Sequence, residues 1–260
     1  MTTKERVILV TNDDGMFAPG LHALVNAVKD LGRIYVVSPD SPQSGKGHAI
    51  TLREPIRFNR VNTFEGIEAY ECSGTPVDCV KWAKNVLLKN ESIDLCVSGI
   101  NHGANASINI IYSGTMSAAM EAAMEGVHSV GFSLLDLSFE ADFTAAGSVA
   151  RQVSEYVLTF EKAPHDPLLL NVNIPALPNG ELKGIKICRQ ANARWVEEFQ
   201  EGKDPRGMKY YWMAGELANM DKGEDTDIEA LENGFVSVVP CQFDLTHYPA
   251  LGKLNGLLND

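Results

Sequence analysis

Residues 7–15 read Val-Ile-Leu-Val-Thr-Asn-Asp-Asp-Gly, and this is the most informative stretch of the chain. Four consecutive apolar residues predict a buried strand, and two adjacent carboxylates, Asp13 and Asp14, follow beyond its carboxyl end. In an open α/β sheet, ligands bind outside the carboxyl ends of the strands. Because two crowded anions are costly without a positive charge between them, we predict a site for a divalent cation, Mg²⁺ or Mn²⁺. The alternative is a plain turn, which Asn, Asp and Gly also favour.

Strands and helices alternate through the first part of the chain. Buried strands are predicted at residues 7–10, 34–37, 93–97, 127–134 and 168–174, the last closing the core. Helices are predicted at residues 19–31, 76–88 (with Thr75 as N-cap), 116–125 and 143–160. Such alternation is typical of a mostly parallel sheet covered on both faces. We therefore predict an α/β fold, with a three-layer, Rossmann-like core over residues 1–175.

The pattern changes after residue 175. Short strands are predicted at residues 184–188, 208–213 and 235–239, separated by charged loops that include residues 200–206 and 220–226. We expect residues 176–260 to form an extension with a projecting β-hairpin and a C-terminal segment that contacts a partner subunit.

Composition excludes several classes of function. The formal net charge of −12 argues against an extended nucleic-acid surface, so no duplex is expected as a partner. No apolar run approaches the roughly 20 residues that span a bilayer, and no signal peptide is visible. Five scattered cysteines without zinc spacing fit reduced thiols. A cytoplasmic location without membrane contact is the expectation.

Four loops are expected to converge on one edge of the sheet, because loops that follow parallel strands open onto the same edge. Their side chains offer two carboxylates, three amides and three hydroxyls: Asp13, Asp14, Asn12, Asn101, Asn105, Ser44, Ser113 and Thr115. Oxygen ligands without cysteine or paired histidine favour Mg²⁺, Mn²⁺ or Ca²⁺ over structural zinc.

The segment Ser113-Gly114-Thr115 begins a predicted helix and is suited to binding an anion. It offers backbone N–H groups, two hydroxyls and the positive end of the helix dipole. The alternative is that Ser113 or Thr115 is only an N-cap. A metal site and an anion site on one edge together indicate phosphate-ester chemistry.

Several motifs occur in order along the chain and together resemble the SurE family, the survival-protein 5'-nucleotidases. They are Asn12-Asp13-Asp14-Gly15 with Ala18-Pro19-Gly20, Ser44-Gly45, Gly74-Thr75-Pro76-x-Asp78-Cys79, Ser98-Gly99-Ile100-Asn101-x-Gly103-x-Asn105 and Tyr112-Ser113-Gly114-Thr115. Stretches at residues 204–207, 226–227 and 235–237 also resemble the family. The resemblance implies a metal-dependent phosphatase, a hydrolase of nucleoside 5'-monophosphates, often also of 3'-monophosphates and short polyphosphate.

The resemblance also implies roles for individual residues. One divalent metal ion is expected to be held by Asp13, Asp14, Ser44 and Asn101. The phosphate or substrate is expected to be bound by Asn12, Asn105, Ser113, Gly114 and Thr115. A homodimer or homotetramer with a C-terminal exchange between subunits is implied as well.

Two residues depart from the commoner family pattern. Lys46 either reaches a phosphate or is a solvated loop lysine. His102 is either a general acid for the leaving alkoxide or a loop histidine without a catalytic duty. Aromatic candidates for stacking on a nucleobase are Phe17, Tyr112 and Trp195, which the sequence does not rank.

The mechanism that we expect is attack by metal-activated water, with Asp13 and Asp14 as the catalytic carboxylates. The alternative is a covalent aspartyl-phosphate, although a carboxylate saturated by metal is a poor nucleophile. A phospho-receiver signalling domain is a competing interpretation, but no Asp directly follows residues 93–97 and no Lys accompanies Asp136. A non-catalytic metal- and nucleotide-binding protein is a further alternative.

Overall fold

The apolar residues 7–10 form a buried strand near the middle of a large sheet, as predicted. The computed structural model describes residues 5–138, 140–161 and 165–258. In these ranges the strands are β1 (Val7–Thr11), β2 (Arg33–Pro39), β3 (Phe58–Val61), β4 (Glu68–Cys72), β5 (Leu95–His102), β6 (Ser129–Leu134), β7 (Leu169–Ile174), β8 (Ile185–Ile187), β9 (Ala193–Lys203), β10 (Lys209–Asn219) and β11 (Val236–Pro240). The helices are α1 (Pro19–Val28), α2 (Pro76–Trp82), α3 (Gly114–Met124), α4 (Thr144–Val157), α5 (Asp227–Glu232) and α6 (Tyr248–Leu258).

Nine of the strands in the described ranges form one sheet, in the order β3-β4-β2-β1-β5-β6-β7-β11-β8. The six strands from β4 to β7 in this order are parallel, whereas β3 and β11 run antiparallel to their neighbours β4 and β7. The remaining two strands, β9 and β10, pair as a separate antiparallel hairpin. The predicted α/β fold with a hairpin in its C-terminal part is confirmed.

Side chains of the central strands alternate between two cores, one on each face of the sheet. On one face Ile8 and Val10 belong to a buried cluster that includes residues of α1 and α4. On the other face Val7 and Leu9 belong to a cluster that includes residues of α2 and α3. This alternation has the period of two that a strand imposes, and it produces three layers.

The chain order places a crevice between β1 and β5. From β1 the chain continues to β2 and β4 on one side, whereas β5 leads to β6 and β7 on the other side. Ligands of open α/β sheets bind at such a reversal of strand order, outside the carboxyl ends of the strands. The segment after β1 that carries Asp13 and Asp14 lies at this position.

Two sequence expectations about strands are corrected by the structure. β7 is not the last buried strand, because β11 pairs with its free edge and is itself largely buried. Residues 200–206 are not simply a polar loop, because β9 extends to Lys203. β9 is almost entirely exposed and pairs along its whole length with β10, so backbone hydrogen bonding rather than burial holds it in place.

Other elements were not predicted. The edge strand β3 and its neighbour β4 have mixed exposure, and α5 is a single short helix capped by Thr226. The division into residues 1–175 and 176–260 stays a prediction about domains, although the sheet continues past residue 175 through β8 and β11. No helix within the described ranges is long and apolar enough to cross a bilayer.

Candidate functional site

The turn after β1 is fixed by Asn12, whose side chain is buried. Its Nδ2 donates to the Gly15 carbonyl at 2.9 Å, and its Oδ1 accepts from Ser38 Oγ at 2.6 Å. These bonds tie the end of β1 to the end of β2 and hold the two aspartates in place. The predicted contact of Asn12 with the substrate stays a prediction, and its polar atoms are engaged within the protein.

Asp13 is a buried carboxylate, with 3% of its surface exposed. Its Oδ1 accepts a hydrogen bond from Thr115 Oγ1 at the N-terminus of α3. Burial raises the pKa of Asp13 from 3.8 to about 6; the Thr115 hydrogen bond opposes this rise and the charge of Asp14 adds to it. Ionisation of the buried Asp13 carboxyl is therefore energetically unfavourable, and a bound cation would reduce this cost.

Asp14 is partly buried, and its Oδ2 has no hydrogen-bond partner among the described residues. Burial raises the pKa of Asp14 above its ordinary value, while the charge of His102 and a hydrogen bond from the His102 backbone lower it. A buried carboxylate oxygen without a partner is expensive, and a divalent cation would satisfy it. The residues present therefore fit the predicted cation.

Asn101 and His102 lie in the last part of β5, where the sequence predicted a loop. A register shift between Ser98 and Asn101 lets the strand resume pairing, so that Asn101 lies opposite Ser133 of β6. Asn101 Nδ2 donates to the carbonyls of His102 and Gly103, at 3.0 and 2.8 Å. Its Oδ1 is therefore the atom available to a cation. The ring of His102 packs edge-on against Phe143, with 5.0 Å between centroids.

Asn105 is held by a buried polar network that the sequence analysis missed. Its backbone N–H donates to Asn173 Oδ1 at 2.7 Å, and its Nδ2 donates to Ser133 Oγ at 2.8 Å. Its carbonyl accepts from Asn171 Nδ2, and Asn173 in turn donates to Asn171. The signal that was available is the pair of asparagines inside the apolar run of β7.

The loop that carries Ser44 is anchored on both sides of that residue. The Gln43 N–H donates to the Asp13 carbonyl at 2.7 Å, and the Gly47 N–H donates to the Tyr112 carbonyl at 3.2 Å. Ser44 itself is exposed. Lys46 is exposed, and its Nζ donates to Gln43 Oε1 at 2.6 Å, so its ammonium group holds the loop.

A second anchor of this loop lies farther along α3. His48 Nε2 is 2.9 Å from Glu121 Oε2, and Lys81 of α2 bonds the other oxygen of the same carboxylate. The Glu121 side chain is only 2% exposed. Burial raises its pKa, but the hydrogen bonds from His48 and Lys81 outweigh burial, so the pKa of Glu121 lies below its ordinary value.

The N-terminus of α3 combines a cap with a close approach to Asp13. Ser113 Oγ accepts from the Met116 N–H at 3.0 Å, so Ser113 is the N-cap of α3. A contact of Ser113, Gly114 or Thr115 with phosphate stays a prediction. The first turn of α3 adjoins both Asp13 and the cavity described next, where a helix N-terminus favours an anion.

The segments described above surround a cavity of about 670 Å³. On one side it is lined by five of the predicted residues, Asp13, Ser44, Asn101, Asn105 and Ser113. The other four, Asn12, Asp14, Gly114 and Thr115, are chain neighbours or hydrogen-bond partners of these five. On the opposite side the hairpin contributes Trp195, Glu197, Met213, Ala214 and Gly215. Of this wall, the sequence analysis named only Trp195, as an unranked candidate for base stacking.

The donor set suits a hard cation. In the described part of the chain, no group of three or more His, Cys, Asp or Glu side chains is arranged to hold a metal. The predicted ligands instead combine two carboxylates with a hydroxyl and an amide oxygen. Mg²⁺ is commonly bound by one or two carboxylates while it keeps several water molecules, which matches this set.

These features define a class: an α/β protein with an acidic, oxygen-rich site at the reversal of strand order, next to a helix N-terminus. Comparisons with known proteins give the family. Residues 8–197 match the family model described as "Survival protein SurE". The chain is 56% identical over 249 residues to the 5'-nucleotidase SurE of Cytophaga hutchinsonii, covering 96% of this chain and 95% of the relative.

Two further similarities span the full length. The 5'-nucleotidase SurE of Christiangramia forsetii is 52% identical over 263 residues, with 100% of both chains covered. A crystal structure of the SurE protein from Aquifex aeolicus has a TM-score of 0.83 and 38% identity, and covers 98% of this chain and 100% of that one. The chain belongs to the SurE family, as its motifs predicted.

Proposed function

We propose that this chain hydrolyses nucleoside 5'-monophosphates to nucleoside and phosphate with the help of one divalent cation, Mg²⁺ or Mn²⁺. Nucleoside 3'-monophosphates and short polyphosphate are proposed as further substrates. Relatives named 5'-nucleotidase SurE, at 56% and 52% identity over almost the whole chain, support the substrate class. The observation that carries the proposal is the unpaired, buried Oδ2 of Asp14, beside the second buried carboxylate of Asp13.

The cation would be held by Asp13, Asp14, Ser44 and Asn101. Three of these four residues line one cavity, and Asp14 adjoins it next to Asp13. When bound, the cation would polarise a phosphoryl oxygen and activate water for attack. Asp13 is oriented for this duty by Thr115, and Asn101 by the carbonyls that occupy its amide nitrogen.

The phosphate would lie between this cation and the first turn of α3. Backbone N–H groups of Gly114 and Thr115, together with the hydroxyl of Ser113, would stabilise negative charge on the phosphoryl oxygens. Asn105, fixed by Ser133 and Asn173, would add an amide from the end of the β5 loop. Asn12 would support this arrangement from behind.

The measurement that tests the activity is phosphate release from a panel of nucleoside 5'- and 3'-monophosphates and polyphosphate. Each substrate is assayed with EDTA, Mg²⁺ or Mn²⁺, for wild type, Asp14→Asn and the control Asp30→Asn. Asp30 is exposed and 3.6 Å from Arg151, a surface pair of little energetic value. We expect metal-dependent release that falls by at least about 100-fold in Asp14→Asn, because a direct ligand contributes more than the supporting residues around a metal.

Two alternatives remain as outcomes of this test. Tight nucleotide binding without turnover, in protein shown to be folded, would favour a non-catalytic metal- and nucleotide-binding protein over the enzyme. If turnover is found, borohydride reduction during turnover distinguishes the two mechanisms. Conversion of Asp13 or Asp14 to homoserine, with loss of phosphate, would favour the covalent aspartyl-phosphate over attack by water.

We also propose that the chain is a homodimer or homotetramer. Three apolar residues of α6, Tyr248, Leu251 and Leu254, are exposed, although helices usually bury such a set. Sedimentation of the intact protein tests this proposal. A monomer at micromolar concentration would contradict it.

A further inference from the structure

The cavity has two chemically different walls. One wall carries the proposed cation and phosphate residues, and the other is formed by the β9–β10 hairpin. Its volume of about 670 Å³ lies within the range of about 300–1,000 Å³ typical of small-molecule sites. A phosphate group and a cation would fill only part of this space. The hairpin wall is therefore available to the remainder of the substrate.

Trp195 is the aromatic residue of this wall whose orientation is fixed. Its Nε1 donates to Asn109 Oδ1 at 2.8 Å, and 37% of its surface remains exposed. An indole that is already oriented loses little conformational freedom when a planar group stacks on it. Tyr112 lines the same cavity but is 53% exposed, and Phe17 is 72% exposed and is not among the residues that line it.

The two ends of the cavity differ in their charged groups. Glu197 lies on the hairpin wall, so a phosphate is disfavoured at that end. At the other end the proposed cation would neutralise Asp13 and Asp14, and the N-terminus of α3 favours an anion there. A nucleotide would therefore bind with its phosphate toward α3 and its base toward the hairpin.

We propose that Trp195 stacks on the nucleobase of the substrate and so selects nucleotides over smaller phosphate esters. This inference rests on the proposed function, because it concerns the same site. It is tested first by a measurement that needs no turnover.

Tryptophan fluorescence provides that measurement. The sequence contains three tryptophans. Trp82 stacks on Phe58 with 4.1 Å between ring centroids, and Trp212 is 69% exposed in β10 and does not line the cavity. In a Trp212→Phe background with EDTA present, adenosine is expected to quench the fluorescence, and the additional change Trp195→Phe is expected to abolish this quenching. Absence of quenching, or quenching that survives without Trp195, would overturn the proposal whether or not the protein is an enzyme.

Kinetics provide the second test. For Trp195→Ala we expect KM for AMP to rise by about 5- to 150-fold, the range that one base–aromatic stack contributes. Hydrolysis of glycerol 2-phosphate, which has no ring to stack, should change less than about 2-fold, since typical effects away from the contacts are small. Trp212→Ala on the same hairpin is the matched control and should alter neither. Equal losses with both substrates, or no change with AMP, would contradict base stacking. If the wild type turns over none of the esters, the proposed function is refuted instead. The quenching of fluorescence by adenosine would then still decide the role of Trp195.

Discussion

A Cβ atom on Gly114 would lie 2.6 Å from the Cβ of Asp13 and 2.8 Å from its Oδ2. Real side chains essentially never approach so closely, so the first turn of α3 and the turn after β1 fit together only with glycine at this position. The predicted cation site, which includes Asp13, and the predicted anion site, which includes Gly114, are therefore in direct contact.

Gly114→Ala should consequently impair the site more than the fold. We expect kcat/KM to fall by about 100-fold, the scale seen when groups around a metal or a developing charge are displaced. Gly180→Ala is the control, because a Cβ there meets no atom within 4 Å. Steady-state kinetics and thermal melting of both variants make the comparison. Unchanged activity of Gly114→Ala would show that the two segments can separate without consequence.

The raised pKa of Asp13 predicts how the stability of the metal-free protein depends on pH. Because burial raises this pKa from 3.8 in the unfolded chain to about 6, the stabilisation from the protonated carboxyl is complete below pH 4 and is lost as the pH rises through about 6. The difference corresponds to about 3 kcal/mol of unfolding free energy. Denaturant unfolding in EDTA should show this loss in wild type relative to Asp13→Asn. Parallel pH profiles of the two proteins would contradict it.

Thr115→Val should raise the pKa of Asp13 further, because Thr115 opposes the effect of burial. Cation binding requires the ionised carboxylate, so the acid limb of the activity profile should move to higher pH. Thr115→Ser keeps a hydroxyl and should leave the limb near its original position. A limb that shifts equally in both variants would contradict this role of the Thr115 hydroxyl, because Thr115→Ser retains it.

Metal-dependent stabilisation provides a test that is independent of substrate. Mn²⁺ should raise the Tm of wild type, because a ligand that binds only the folded state stabilises it. In Asp14→Asn this increase should largely disappear, while the metal-free Tm should not fall, since a carboxylate with one buried oxygen that lacks a partner is replaced by a neutral amide. If Mn²⁺ stabilises both proteins equally, Asp14 is not a ligand.

His48 should influence the site through the loop that carries Ser44. Removing His48 in His48→Ala leaves Glu121 with Lys81 as its remaining partner and frees one end of the loop. The metal concentration for half-maximal activity should rise by about 10-fold, as is typical for residues that support metal ligands. His48→Gln can still donate to Glu121 and should recover most of the affinity. Equal affinity of His48→Ala and wild type would show that the other anchors suffice.

Much of the central sheet could be predicted from sequence, because its strands are buried on both faces and read as apolar runs. β1, β2, β6 and β7 all belong to this group. The Thr75 cap was predictable from local chemistry, and the structure contains its full capping box with Asp78. β9 and β10 were harder, since exposed strands are held by pairing with each other and leave a weak pattern of burial.

The residues of the site can also be divided into those that the sequence predicts and those that it does not. The residues that converge after β1 and at the end of β5 were predictable from their position near strand ends, and those before α3 from their position at a helix start. Of the hairpin wall, the sequence named only Trp195, as one of three unranked aromatic candidates. Its place at the cavity depends on contacts distant in sequence, such as that with Asn109. The network of Asn171 and Asn173 beneath Asn105 depends on pairing between β6 and β7 in the same way.

Helix α3 contacts two parts of the site, the Asp13 segment and the loop that carries Ser44. α3 contacts Asp13 at its first turn and fixes the Ser44 loop through Glu121 two turns later, and most of its residues are buried. The distance between the Asp13 segment and the Ser44 loop is therefore fixed while α3 remains packed. Catalytic competence and the global fold should then be lost in a single cooperative step on heating, with no range of temperature in which a folded but inactive protein accumulates.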